Sequence, residues 1–262
     1  MGPEADAGLL RRFEPVIRYT RGERFYPMDA ERYVGLCSLW VQRPDQKAVC
    51  LIPQPDMTLE RLAQPHPDTF QAVHYLKLDP PARADLRDTA PTKAPAKHRE
   101  RFRAGLGRLA RVGYVSRLTD AAFSLSLLAR GRVPGRLAAR AAGLYQQLAA
   151  EGETYCYHAR VVRQNGWILL QYWFLYLFNN WRSGFFGAND HEADWEMICV
   201  YLSEWPTGEI TPEWVAYAYH DHSGDEVRRR WDDPELEKVG AHPVIYAGAG
   251  SHASYFMAGE YL

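Results

Sequence analysis

Lysine is scarce in this 262-residue chain, with 5 Lys against 26 Arg, and cysteine is limited to four. Cys37, Cys50, Cys156 and Cys199 are scattered without a Cys-x-x-Cys pair. At this length that argues against a disulfide framework, and the four are read as reduced core residues. The start, Met1-Gly2-Pro3-Glu4-Ala5-Asp6, has no apolar signal segment, and Asp6 stands where a myristoylation signal would place Ser or Thr. An intracellular, cytoplasmic protein is therefore expected, at most peripheral to a membrane. A spanning helix is not: within 99–150 Arg117 and Asp120 interrupt the most apolar part well short of the roughly 18 residues a span requires, and the aromatic bulk of 168–178 favours a strand over a membrane helix. Gly248-Ala249-Gly250-Ser251 also lacks the Gly-x-Ser-x-Gly elbow, which argues against a serine nucleophile at Ser251 beside His252.

What the chain does have is apolar bulk, 47% of residues, enough for a sizeable core, and many large rings with polar tips, 16 Tyr and 8 Trp. Its charge is unevenly spread. Residues 93–140 hold twelve Lys or Arg against Glu100 and Asp120, a local balance of +10, so the total of −1 leaves −11 for the remainder. Such a basic stretch can face an anionic membrane surface or pack back on an acidic body. Nucleic acid is not the expected partner, since the arginine bias can reflect genome composition.

Along the chain, Phe13 to Tyr19 alternates like a short strand, and Asp29 is placed to cap a helix over 30–36. A strand pair is expected over 38–51, a capped short helix over 57–62 and a strand over 74–78. Residues 79–97 turn to Pro, Ala, Arg and Asp and read as an exposed connector. Helical stripes follow: Phe102, Leu106, Leu109 and Val112, then Leu118, Ala122, Leu125 and Leu128, then a third helix over 136–150. The expected organisation is α+β and mainly β. A β-sandwich body comprises 1–92 and 151–262, and a basic helical insertion spans 93–150.

The C-terminal half is β-like. Segments 155–163 and 167–178 flank Gln164-Asn165-Gly166, a hairpin signal, and the apolar continuity of 168–178 predicts burial on both faces. A long loop, 179–190, then delivers His191. If 194–202 is a strand, its period of two puts Asp194 and Glu196 on one face and Trp195 on the other, so that two carboxylates and the His191 imidazole converge. Oxygen and imidazole donors without nearby thiolate suit a divalent cation, with calcium, magnesium or manganese favoured over zinc. Asp190, His220, His222 and His252 are candidates for a further ligand or for orienting one.

Several stretches share one resemblance. Phe13-Glu14-Pro15-Val16-Ile17-Arg18-Tyr19 with Glu23-Arg24-Phe25-Tyr26-Pro27, Gln171 to Tyr176, Asp190 to Glu196, and His242-Pro243-Val244-Ile245-Tyr246 with Gly250-Ser251-His252-Ala253-Ser254-Tyr255 resemble, in order, the fungal and plant family of vacuolar protein sorting-associated protein sixty-two. The resemblance implies a β-sandwich-like body and no established activity. A more distant likeness is to the necrosis- and ethylene-inducing toxin-like proteins, whose signature is Gly-His-Arg-His-Asp-Trp-Glu beside a divalent cation in a β-sandwich that binds sphingolipid sugars. His191, Asp194, Trp195 and Glu196 match that signature. Asp190, Glu192 and Ala193 replace its Gly, Arg and second His, and the added helices also set the chain apart from the toxins.

Three functions remain open on these residues. One is a cation-supported β-sandwich module for a glycan, lipid headgroup or protein. Another is a metal-dependent hydrolase in which Asp194 or Glu196 activates water. The last is a polar cluster that only staples a loop to the sheet. The chain ends at Leu262 soon after a motif, so a longer natural product is conceivable, and the oligomeric state is not written in the residues.

Overall fold

Asn165 and Gly166 both adopt positive φ, 53° and 79°, the two-residue turn that matches the twist of a hairpin. The turn sets the register of β5 (His158–Gln164) on β6 (Trp167–Asn179), with Gln164 opposite Trp167. In this computed structural model, which describes residues 3–65, 71–79, 135–151, 155–181, 190–218 and 227–259, the hairpin grows into an antiparallel sheet. β7 (His191–Glu204), β8 (Ile210–Tyr217) and β9 (Arg228–Arg230) complete the order β5-β6-β7-β8-β9. Val215 and Tyr217 of β8 are fully buried.

β6 is buried on both faces only over residues 174–179; from 168 to 173 it alternates buried and half-buried. The expectation of two-sided burial throughout 168–178 is corrected here, because the cover over this strand is local. Met28 donates its N–H to Leu175 O at 2.8 Å. Phe25 packs between Phe178 and Tyr145 of α4 (Gly135–Ala150), with ring centroids 5.9 and 5.8 Å away. Ala141, Leu144, Tyr145 and Leu148 of α4 belong to the same apolar core as the sheet.

The N-terminal part builds three smaller pieces. A helix that the sequence did not announce, α1 (Pro3–Arg12), buries Leu9, and its Leu10 carbonyl accepts from the Tyr172 hydroxyl at 2.8 Å. α2 (Ala30–Gly35) starts where expected: the Asp29 carboxylate accepts the Arg32 N–H at 2.9 Å, a cap worth about 1 kcal/mol. β2 (Cys37–Gln42) lies between β3 (Val49–Ile52) and β4 (Val73–Leu78), and α3 (Leu59–Leu62) is capped by Thr58. Val34, Leu39, Ile52 and Met57 form a separate small core there. None of the four cysteines is in a disulfide, but Cys50 is exposed and Cys156 half-buried, so only Cys37 and Cys199 are the buried residues anticipated for all four.

The chain ends meet in a third sheet. β1 (Val16–Arg18) pairs in parallel with β11 (His242–Ala247), which also carries β10 (Lys238–Val239) and β12 (Ser254–Tyr255). This sheet touches the large one through the Tyr217 hydroxyl, which donates to Val244 O at 2.9 Å, and through Tyr217 stacked on Phe256 at 4.1 Å. The fold is thus mainly β with few helices among the described residues. Residues 80–97 of the connector, the stripes over 102–112 and 118–128, and His220 and His222 lie outside the described residues. No helix among the described residues is long and apolar enough to cross a membrane.

Candidate functional site

Asp194 and Glu196 do share the inner face of β7: they are 3% and 4% exposed, while Trp195 between them is 48% exposed and stands near Trp173 and His158 outside. β6 places Tyr176 opposite Asp194 and Phe174 opposite Glu196. His191 does not join them. It is the first residue of β7 rather than part of a preceding turn, it is exposed, and its Nδ1 lies 3.1 Å from the carbonyl of Ala193. Three residues along a strand is an odd step, and Ala193 at φ 54° adds a local kink, so this imidazole turns to its own backbone. Asp190 is buried just before the strand. The neighbouring Glu192 accepts the Leu78 N–H at 2.7 Å.

The imidazole that meets Asp194 is His252, 1% exposed, in the turn between β11 and β12. Its Nδ1 is 2.8 Å from Asp194 Oδ2, and its Nε2 faces Glu23 Oε1 at 3.5 Å. The ring lies flat on Tyr176, centroids 3.9 Å apart and planes 4° from parallel. Asn179 Nδ2 donates to the same Asp194 oxygen at 3.2 Å, and the Tyr176 and Tyr19 hydroxyls are 3.2 Å apart. Glu23 accepts the N–H groups of Arg24, Phe25 and Gly250 at 2.7, 3.1 and 3.1 Å.

The turn geometry explains the residues used. Gly250 has φ 70°, and a Cβ there would sit 2.8 Å from Asn180 Oδ1, so glycine is required both for the conformation and for the close approach. His252 itself adopts φ 55°, a left-handed conformation held by its N–H to Gly248 O at 2.9 Å. Through Nδ1 His252 orients Asp194, while its Nε2, near Glu23, is buried without a hydrogen bond among the described residues.

Electrostatics separates the acids. Burial pushes the His252 pKa down, but Asp194 and Glu23 outweigh it and the net shift is upward. Burial likewise pushes Glu23 up, yet His252 and the amides of Gly250 and Phe25 hold it at about 2. Glu196 goes the other way: burial and then the Asp194 charge push it up to about 9. It has no hydrogen bond or ion pair among the described residues, which makes it an acid kept protonated at neutral pH beside an engaged carboxylate. Among the described residues no group of three or more His, Cys, Asp or Glu is placed to hold a metal ion.

Reasoning from sequence thus found Asp194, Glu196 and His252 and missed Glu23, Tyr176 and Asn179. Glu23 and His252 sit in separately noticed motifs 229 positions apart, but nothing in either stretch says that they meet. Comparison of the chain with protein-family models, with curated proteins and with solved structures gave no match.

Proposed function

We propose that the protein is a binding module whose site is supported by a divalent cation at Asp194 and Glu196, held in a sandwich-like body formed by the five-stranded sheet and the β1-β11 sheet. One observation carries this reading: Glu196 is a buried carboxyl without a hydrogen bond or ion pair among the described residues, next to a carboxylate already oriented by His252 and Asn179. A buried acid normally finds a hydrogen bond or a counter-charge. The donors are hard oxygens, which fits calcium, magnesium or manganese better than zinc. Two carboxylates leave most of a six- to eight-coordinate shell to water and to ligand oxygens, and a glycan or phosphate headgroup supplies these.

Binding a cation would require Glu196 to lose its proton, so affinity should rise with pH and each ion should release about one proton. Calorimetry in buffers of different ionisation enthalpy measures this, using chelator-treated protein, its Glu196→Gln variant, and liposome and glycan screens with and without the ion. Saturable calcium, magnesium or manganese binding that is lost in the variant supports the reading. The competing reading is a staple, favoured by His252 sitting between two carboxylates. No bound ion and no thermal stabilisation by any of these cations would establish the staple instead.

A further inference from the structure

A cavity of about 300 Å³ opens between the 23–26 segment, α4 and Tyr155, lined by Glu23, Arg24, Tyr26, Tyr145, Gln146 and Tyr155 but by neither Asp194 nor Glu196 of the cation site proposed above. Three tyrosine rings from three parts of the chain meet there. The Tyr26 centroid is 5.1 Å from that of Tyr155 and 6.3 Å from that of Tyr145, with neither pair parallel. Tyr155 is 67% exposed, yet its position is set by the backbone: the N–H groups of Tyr155 and Cys156 both donate to Pro27 O, at 2.8 and 3.2 Å. Tyr145 is 4% exposed, and its buried hydroxyl finds no acceptor among the described residues.

The charges around the rings are specific. Glu23 brings a negative charge, but its oxygens already accept three backbone N–H groups, so it offers field rather than free ligand atoms. Such a wall suits a large, weakly hydrated organic cation, which needs π faces and a counter-charge, and it does not suit a small metal ion, which needs vacant oxygens. At the rim, Arg24 is exposed and its guanidinium has no partner among the described residues. A cationic rim above an anionic, aromatic wall, with one idle hydroxyl donor, matches a ligand carrying both signs of charge.

We propose that this cavity binds a zwitterionic quaternary ammonium of the phosphocholine class, its trimethylammonium group against Tyr26, Tyr145 and Tyr155 and its phosphate toward Arg24. The site does not rest on the cation at Asp194 and Glu196. Calorimetry on the chelator-treated full chain with phosphocholine, choline and the neutral isostere 3,3-dimethylbutanol tests it. Phosphocholine should bind saturably, with the isostere about tenfold weaker or more, the loss expected when the charge over the rings is removed. Tyr155→Ala, at an exposed position, should weaken phosphocholine by about tenfold, and Arg24→Gln should erase its advantage over choline. Capture on phosphatidylcholine vesicles that free phosphocholine displaces assigns the ligand to lipid; binding of the free ester without vesicle capture assigns it to a soluble one. No saturable binding, equal binding of the isostere, or an unchanged affinity in Tyr155→Ala overturns the proposal. So does a trimethyllysine peptide that binds and is not displaced by phosphocholine.

Discussion

Glu196 and His252 show how one residue's neighbours decide its chemistry. An unfolded glutamate titrates near 4.5 and Glu196 in the fold at about 9, so between those values the folded chain holds the extra proton. Its stabilising contribution is complete below pH 4.5 and is lost as pH rises through 9. The upward shift of His252 adds a loss in the same direction above 6.5. Glu196→Gln keeps the shape and removes the ionisation, so at pH 8.5 without added cation it should be more stable than wild type, on the order of 1–3 kcal/mol. Urea unfolding at pH 6 and 8.5 checks this: wild type should weaken more between the two than the variant. A variant less stable at both values would contradict the assignment of Glu196 as the buried neutral acid.

At the scale of elements, α4 and the hairpin β5-β6 behave differently as readings of sequence. The hairpin was legible because its cue is local: a two-residue Asn-Gly turn between β-rich runs dictates pairing at short range. The helical period of α4 was equally visible, but not the surface it covers. Leu144, 2% exposed, faces the same core as Phe25 and Phe178. Leu144→Ala should therefore cost about 3 kcal/mol, read as a lower denaturant midpoint with an unchanged slope. A midpoint equal to wild type would mean that the helix lies on the body without contributing to it. Two-sided burial of β6 failed as a reading for a related reason, since apolar composition does not reveal where the segments before β2 and α4 stop covering the strand.

In the whole molecule the two ends of the chain are interdependent. β1 pairs in parallel with β11, Phe13 is 1% exposed, and Glu23 near the N-terminus holds His252 near the C-terminus. A chain lacking residues 1–18 should lose its cooperative thermal transition and its near-ultraviolet circular dichroism, because β11 loses its partner and the core loses Phe13. Retention of both signals would show that the large sheet folds independently of the ends. The sequence by itself determined the Asp29 cap, the capped short helix over 57–62, the hairpin turn and the pairing of Asp194 with Glu196 on one face, all set within a few residues by backbone sterics and side-chain alternation. Only the tertiary structure decided that His252 rather than His191 meets Asp194, that Glu23 closes the pair, and that Tyr26, Tyr145 and Tyr155 share a cavity. Those contacts join positions far apart in the chain, and their energies come from burial and charge that exist only once the sheets and α4 have packed.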